Sequence, residues 1–175
     1  MTSTKGPPRV CGVVGWKNSG KTGLVERLVA EITARGVRVS TIKHAHHGVD
    51  VDQPGTDSYR HRAAGAQEVL LSSAGRWALM AELRGAPEPG LAELMPRLSE
   101  VDLVLVEGFK REGHAKIEAH RRETGQPLLA LTDPTIRAVA TNDPETVRAA
   151  WPRGPVLDLD DTSAIADAVL GEVAA

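Results

Sequence analysis

The sequence has few of the features that mark secreted, membrane-bound or nucleic-acid-binding proteins. Its single cysteine, Cys11, cannot form an internal disulfide, and its apolar surroundings predict a buried, inert thiol. The 21 basic and 23 acidic side chains give a formal net charge of −2, which provides no strong field toward nucleic acid or anionic lipid. The N-terminal MTSTKGPPR lacks the apolar stretch of a secretory signal, and no segment reaches about 18 consecutive apolar residues. We therefore expect a cytoplasmic protein without nucleic-acid or membrane partners, in which any phosphate affinity is local.

The pattern of apolar residues predicts alternating strands and helices. A length of 175 residues, with 41% apolar and 25% charged residues, is typical of one globular domain spanning residues 1–175. Short apolar runs and period-two patterns predict strands at residues 10–14, 37–42, 68–72, 77–83, 101–106, 116–120, 128–131, 138–141 and 156–159. Helical spacing predicts helices at residues 21–36, 59–66 and 91–98, and others that begin near residues 144 and 162. This order indicates an α/β domain with a largely parallel sheet, helices on both faces and a β-hairpin formed by residues 68–83.

The segment GWKNSGKT carries the strongest functional signal. It matches the phosphate-loop pattern of Gly, four residues, Gly, Lys and Ser or Thr, and it lies between a predicted strand and a predicted helix. Its residues are Gly15, Trp16, Lys17, Asn18, Ser19, Gly20, Lys21 and Thr22. The glycines permit the tight turn, Lys21 would reach the β- and γ-phosphates, and the Thr22 hydroxyl would bind Mg²⁺. A chance match in a glycine-rich turn is the alternative, and the strand and helix context argues against it.

An acidic partner for the metal is expected at the end of the most apolar strand. Residues 101–106 are followed directly by Glu107, and carboxylates that bind Mg²⁺ in such sites commonly follow apolar strands. We therefore predict that Glu107 acts with Thr22 at the metal and with Lys21 in catalysis. A solvated charge at a strand end is the alternative interpretation.

A polar segment rich in histidine follows the second predicted strand. His44, His46 and His47 precede three aspartates, Asp50, Asp52 and Asp57. Imidazoles and carboxylates bind transition metals, but the segment has no cysteine partner and no helical histidine spacing. Contacts to phosphate or pterin are favoured over a metal site, and a solvated polar loop is the remaining possibility.

Five segments, taken in order, resemble the molybdopterin-guanine dinucleotide biosynthesis protein B family. They are GWKNSGKT, IKHAHH, DVDQPGTDSY, RWALM and VDLVLVEGFKREGHAKIE, and the likeness spans roughly residues 10–143. The resemblance implies a P-loop NTPase-like three-layer fold and a GTP-binding homodimer with weak GTPase activity. Such a protein assists the nucleotidyltransferase MobA in attaching GMP to molybdopterin.

The resemblance also implies roles for residues outside the phosphate loop. GTP and Mg²⁺ would occupy residues 15–22 together with Glu107. A ligand face where nucleotide and molybdopterin meet would be lined by His44, His47, Asp52, Asp57 and Lys110. The predicted strand from Trp77 to Leu83 is expected to lie in the core or at the dimer interface, and not at a ligand site.

Guanine recognition is the least determined part of the predicted site. The sequence has no Asn-Lys-x-Asp signature, and the nearest candidate is Asp143, whose carboxylate could accept hydrogen bonds from guanine N1 and N2. Asp143 is equally well placed to cap a helix that begins at Pro144.

Two other functions remain open from the sequence. One is a P-loop kinase for a small acceptor, with Arg60 and Arg62 as phosphate-binding residues, although no substrate lid is recognisable. The other is a GTP-dependent metallochaperone that would hold Ni²⁺ or Zn²⁺ through His44, His46 and His47.

Overall fold

A six-stranded parallel sheet forms the centre of the larger of two structural units. The computed structural model describes residues 6–45, 48 and 50–173. Contacts divide the chain into one unit formed by the described residues up to His44 and from Met95 onward, and a second unit within Ala45–Leu94. The prediction of a single domain over residues 1–175 stays a prediction. No helix in the described part of the chain is long and apolar enough to cross a lipid bilayer.

The strands and helices follow the predicted alternation. The strands are β1 (Arg9–Val14), β2 (Val39–Lys43), β3 (Glu68–Ser72), β4 (Trp77–Ala81), β5 (Leu103–Glu107), β6 (Lys116–His120), β7 (Ile136–Thr141) and β8 (Val156–Asp158). The α-helices are α1 (Lys21–Ala34), α2 (Asp57–Ala63), α3 (Leu91–Leu94), α4 (Pro144–Ala150) and α5 (Thr162–Ala168). Short 3₁₀ helices lie at Met95–Arg97, Arg122–Thr124 and Leu129–Leu131.

The order of strands brings distant parts of the sequence to one edge. The sheet of the larger unit runs β2-β5-β1-β6-β7-β8, and every neighbouring pair is parallel. Val13 of β1 pairs with Glu107 of β5, and Val14 pairs with Glu118 of β6. Because all six strands run in the same direction, the loops after β1, β2, β5, β6 and β7 emerge at the same edge, where ligands of such sheets bind.

Helices cover both faces of this sheet. One core cluster packs α1 and α5 against the sheet through Leu24, Leu28 and Ile165, and the other packs α4 against the opposite face through Val147. Cys11 is fully buried in the first cluster, and this burial raises the pKa of its thiol to about 12. The expected three-layer α/β fold is therefore confirmed, and Cys11 is the buried, unreactive thiol that the sequence predicts.

One predicted strand is wrong. Residues 128–131 form a 3₁₀ helix at Leu129–Leu131 instead of a strand. The backbone N–H groups of Leu129 and Ala130 donate to the carboxylate of Glu118, at 2.9 Å in both cases. A side chain of a neighbouring strand therefore takes the donors that a strand would give to a sheet, and apolar sequence alone does not reveal this.

The second unit consists of α2 and the antiparallel β3–β4 hairpin. Arg62 of α2 ties the unit together because its guanidinium pairs with Asp50 at 2.8 Å and with Glu82 of the segment after β4 at 2.7 Å. Leu70 pairs with Leu79 across the hairpin, which confirms the predicted hairpin. The side chains of Leu70, Trp77 and Leu79 lie on one face by strand alternation, and they are 62%, 59% and 38% exposed.

Candidate functional site

The loop between β1 and α1 depends on glycine. Gly15 has φ +152° and Gly20 has φ +91°, which are conformations that other residues rarely adopt. A Cβ on Gly15 would collide with the carbonyl oxygen of Ala119 and with the hydroxyl of Ser19. The two glycines therefore let residues 15–22 turn tightly from the buried end of β1 into the first turn of α1.

The interior of this loop presents polar groups that can bind an anion. Ser19 is 2% exposed, and its hydroxyl oxygen has no hydrogen-bond partner among the described residues. No side chain of the described residues caps the N-terminus of α1, which begins at Lys21. The Lys21 ammonium donates to the carbonyl oxygen of Trp16 at 2.6 Å. Burial and the nearby Lys110 lower the pKa of Lys21, as expected for a cation in a site that lacks enough negative charge.

The acidic group lies beside the loop. The Thr22 hydroxyl donates to Glu107 Oε1 at 2.9 Å, and the Lys43 ammonium lies 3.3 Å from the same oxygen. Glu107 is only 9% exposed although it ends β5. A hydroxyl and a carboxylate oxygen are donors that suit Mg²⁺, so this pair fits the predicted metal site.

The turn after β5 fixes the position of Glu107. Gly108 has φ +95°, and a Cβ at this position would lie 2.9 Å from the Cβ of His44. The backbone N–H of His44 donates to the carbonyl oxygen of Glu107 at 2.8 Å, and the His44 ring lies 4.8 Å from the ring of Phe109. His44 therefore lies next to the acidic residue through backbone and ring contacts.

Trp16 joins the glycine loop to the segment after β6. Its indole N–H donates to the carbonyl oxygen of Pro127 at 2.8 Å, and the ammonium of Lys110 lies 4.7 Å from the centre of its ring. Lys110 thus contacts the loop from the β5 side by a cation–π interaction. These contacts place Trp16 at the side of the loop that faces the end of β6.

Glu118 holds the segment that Trp16 contacts. This carboxylate is fully buried on β6 and accepts the N–H groups of Leu129 and Ala130. Burial raises the pKa of Glu118 and outweighs the lowering effect of these two bonds. Glu118 does not stand out in the sequence, because a glutamate between apolar residues of a strand gives no sign of which backbone groups it binds.

The five residues of the predicted ligand face do not all lie in one unit. His44 and Lys110 lie in the larger unit beside the glycine loop, whereas Asp52 and Asp57 lie in the second unit. Asp52 accepts hydrogen bonds from Thr56 at 2.8 Å and from Ser58 at 3.0 Å, so it stabilises the start of α2. Contacts between the residues of the predicted ligand face and a ligand stay predictions.

The remaining predicted residues fall as follows. His46 and His47 lie outside the described residues, and within the described ranges no three His, Cys, Asp or Glu side chains are grouped to hold a metal ion. Asp57 is exposed and lies 3.7 Å from Arg60. Arg62, a phosphate-binding residue in the kinase alternative, is instead engaged by Asp50 and Glu82.

Asp143 has the structural role that the sequence left open. Its carboxylate accepts the backbone N–H of Thr146 at 3.5 Å and thereby caps α4. The adjacent Asn142 instead contacts Glu123, with its amide nitrogen 2.9 Å from both carboxylate oxygens. A guanine contact by Asp143 stays a prediction, and Glu123 is a second carboxylate at this edge that was not predicted from the sequence. The signal in the sequence was an acidic residue three positions after the end of a strand.

The fold and the site together define the class of protein. A parallel sheet with β1, the glycine loop and α1 at its centre, and an acidic residue at the end of the neighbouring strand β5, is the arrangement of a P-loop NTPase-like α/β protein.

Comparison with known proteins identifies the family. The model for "Molybdopterin guanine dinucleotide synthesis protein B", MobB, matches residues 10–142. This chain belongs to the MobB family. It is 42% identical over 159 residues to the molybdopterin-guanine dinucleotide biosynthesis adapter protein of Haemophilus influenzae, across 89% of this chain and 84% of that protein. It is also 42% identical over 158 residues to the Escherichia coli protein of the same name, across 89% and 87% of the two chains.

Solved structures agree with this assignment. A crystal structure of Bacillus subtilis MobB matches 94% of this chain and 99% of its own chain, with a TM-score of 0.72 and 27% sequence identity. A crystal structure titled molybdopterin-guanine biosynthesis protein B matches 92% and 97% of the two chains with a TM-score of 0.70 at 24% identity, which supports the fold alone.

Proposed function

We propose that this chain is a GTP-binding adapter protein in the biosynthesis of molybdopterin-guanine dinucleotide. In this role it assists the nucleotidyltransferase MobA in attaching GMP to molybdopterin in the cytoplasm. The family and the names of the similar proteins support the adapter role. The observation that supports nucleotide binding most directly is the 2.9 Å contact between Thr22 and Glu107 beside the glycine loop.

Each group of the site has a distinct task in this proposal. The loop of residues 15–22 would hold the triphosphate, with Lys21 turning from the Trp16 carbonyl oxygen to the β- and γ-phosphates. Thr22 and Glu107 would hold Mg²⁺, which neutralises phosphate charge. Lys43 lies 3.3 Å from Glu107 and would limit the negative charge at the metal-binding pair. Because these residues supply only position and charge, we expect slow hydrolysis of GTP.

The lowered pKa of Lys21 supports phosphate as the ligand. Burial lowers the pKa of Lys21 most, and the nearby cations Lys110 and Lys43 lower it further, while Glu107 raises it. Such an excess of positive charge is relieved by an anion. A bound triphosphate would supply this charge, and molybdopterin, which carries a phosphate, would be a second ligand at the same edge of the sheet.

Calorimetric titration tests the nucleotide part of the proposal. Wild-type protein is titrated with GTP and with ATP, each with Mg²⁺ and with EDTA, and the Lys21→Ala variant is treated in the same way. We expect Lys21→Ala to lose triphosphate binding and to retain its fold by circular dichroism, because one charge-assisted contact to phosphate is removed. The matched control is Arg153→Ala, which removes an exposed cation outside the loop. Equal affinity in wild type and Lys21→Ala would sink the assignment of the glycine loop.

The adapter role needs a separate assay. Dinucleotide formation by purified MobA with molybdopterin and GTP is measured with and without this protein. Faster formation with wild type, and a smaller increase with Lys21→Ala, is the expected result. No effect of the wild-type protein, combined with phosphorylation of a small acceptor, would favour the kinase alternative.

We also propose that two copies of the chain pair through the exposed face of the β3–β4 hairpin. Leu70, Trp77 and Leu79 form an apolar strip on this face, although most large apolar side chains of a soluble unit are buried. A two-stranded hairpin is marginally stable alone because each strand has only one neighbouring strand, so a partner surface would stabilise it. A homodimer is the occupant that agrees with the family resemblance.

A further inference from the structure

The pairing of two strands fixes a cation, Lys43, beside the predicted metal ligand. Lys43 is the last residue of β2 and pairs in register with Glu107, the last residue of β5. The backbone N–H of His44 donates to the carbonyl oxygen of Glu107 at 2.8 Å, which extends this pairing past the strand ends. Side chains at paired positions of neighbouring strands leave the same face of a sheet. The Lys43 ammonium and the Glu107 carboxylate therefore meet as a consequence of the fold.

Two donors converge on one oxygen of this carboxylate. Oε1 of Glu107 accepts the hydroxyl of Thr22 at 2.9 Å, and the Lys43 ammonium lies 3.3 Å from the same atom. A metal ion that binds both Thr22 and Glu107 takes its ligands from the oxygen atoms of this same contact. The Lys43 ammonium and a divalent cation therefore compete for one negative charge.

The charges around the glycine loop disfavour a divalent cation that arrives alone. The charged groups that act on Lys21 include two further cations, Lys43 and Lys110, and the carboxylate of Glu107. These four side chains together carry a net positive charge. Mg²⁺ alone adds to this charge, whereas the Mg²⁺ complex of a nucleoside triphosphate is an anion and offsets it. The site therefore favours the metal with a triphosphate over the metal by itself.

The two members of the ion pair differ in their freedom to move. The side chain of Lys43 is 57% exposed, whereas that of Glu107 is 11% exposed. A lysine ammonium is a compact charge on a flexible stem, so it can leave the carboxylate without any change in the backbone. A triphosphate held by the glycine loop would bring its terminal phosphate next to the metal, and this phosphate is the anion that the displaced ammonium would meet.

We propose that Lys43 makes the binding of Mg²⁺ at Glu107 conditional on a triphosphate. Its ammonium neutralises the carboxylate when no ligand is bound, and it moves to the terminal phosphate when metal and nucleotide arrive together. Lys43 thereby prevents Thr22 and Glu107 from taking up a divalent cation that brings no nucleotide. The inference rests on the proposed function, because it assumes that this pair holds the metal and that the glycine loop holds phosphate.

The test measures metal binding without nucleotide in the Lys43→Met variant. Mn²⁺ replaces Mg²⁺ as the probe, and electron paramagnetic resonance reports the free Mn²⁺ in a titration of nucleotide-free protein. We expect Lys43→Met to bind Mn²⁺ about 10- to 100-fold more tightly than wild type, because a competing charge next to the metal is removed. In calorimetry with Mg²⁺, its preference for GTP over GDP should fall about 10-fold, because the terminal phosphate loses one cation. Lys43→Arg, which keeps the charge, should retain weak Mn²⁺ binding.

The controls separate this inference from the proposed function. Arg38→Met removes the same charge next to the other end of β2, where Arg38 pairs with Asp102 at 3.3 Å, and should leave Mn²⁺ affinity as in wild type. Adding Glu107→Gln to Lys43→Met should abolish the tighter Mn²⁺ binding. Equal Mn²⁺ affinity in wild type and Lys43→Met, or tight Mn²⁺ binding by nucleotide-free wild type, would overturn the role of Lys43 and leave the phosphate site intact. Wild type that binds no GTP with Mg²⁺ would overturn the proposed function, and with it the movement of Lys43 to phosphate.

Discussion

Replacing Glu118 by alanine is the most informative perturbation of the fold around the site. The change removes the acceptor of two backbone N–H groups, those of Leu129 and Ala130, each 2.9 Å from a carboxylate oxygen. A buried donor left without a partner costs about 1–3 kcal/mol, so two of them cost about 2–6 kcal/mol. Removing the buried charge returns part of this cost, because burial is strong enough to raise the pKa of Glu118. We expect a loss of about 3 kcal/mol in the free energy of unfolding.

The glutamine variant should behave differently. Glu118→Gln keeps one acceptor and carries no charge, but its N–H₂ group faces the second backbone N–H and leaves that donor without a partner, at a cost of about 1–3 kcal/mol. Because burial raises the pKa of Glu118, relief of the buried charge offsets part of this cost, and we expect Glu118→Gln to be less destabilising than Glu118→Ala at neutral pH. The loss of about 3 kcal/mol that we expect for Glu118→Ala corresponds, in a chain of this length, to a decrease of about 6–12 °C in Tm.

Urea unfolding followed by circular dichroism measures both variants. Glu145→Ala, an exposed change on α4, is the matched control and should remain within about 0.5 kcal/mol of wild type. A Glu118→Ala variant as stable as this control would show that the two hydrogen bonds contribute nothing net. A Glu118→Gln variant as unstable as Glu118→Ala would show that the negative charge itself is required.

The pH dependence of this effect has a definite sign. The folded protein holds the Glu118 proton to higher pH than the unfolded chain, whose carboxyl has the ordinary pKa of 4.5. Folded protein therefore binds more protons, and stability falls as pH rises through the folded pKa. We expect wild type to lose stability relative to Glu118→Gln as pH rises above about 4.5. A difference that moves in the opposite direction would refute burial as the dominant influence on this carboxyl group.

Two further variants test the metal-side turn and the hairpin face. Gly108→Ala should cost about 2–3 kcal/mol and weaken Mg²⁺-dependent GTP binding, because its φ is +95° and its new Cβ would lie 2.9 Å from the Cβ of His44. Gly113→Ala, which has no atom within 4 Å of the new Cβ, is the control in the same unfolding and titration experiments, and equal losses would contradict this reasoning. Trp77→Ser should shift the proposed dimer toward monomer in sedimentation velocity, whereas Leu71→Ser on the opposite hairpin face should not. A wild type that sediments as a monomer at all concentrations would reject the proposed pairing.

Local sequence patterns were sufficient for most of the fold. The strand, glycine loop and helix from Val10 to Ile32 are contiguous in sequence, and each is determined by residues within a few positions. The apolar run that leads to Glu107 likewise predicts both a buried strand and a carboxylate at its end. The contact between Thr22 and Glu107 then follows from the pairing of β1 with β5.

Long-range polar contacts explain what the sequence did not predict. The segment that contains Leu129 is as apolar as a strand, but its backbone donors are bound by Glu118, which is 11 residues away in sequence. Asp143 directly precedes Pro144, so the sequence already offered it as a helix cap. Only the three-dimensional structure shows that Glu123, three residues after β6, lines an open pocket with Trp16 of the glycine loop.

The two parts of this sheet edge differ in how the chain encodes them. The proposed phosphate site depends on residues 15–22, whose spacing is visible in one short segment. The open pocket beside this loop combines Trp16 with Glu123, so its walls lie more than a hundred residues apart in sequence and meet because β1 and β6 are neighbours. A substitution that shifts the end of β6 should weaken triphosphate binding as well as change this pocket, because the Ala119 carbonyl oxygen of β6 packs against Gly15 and Trp16 belongs to both the loop and the pocket.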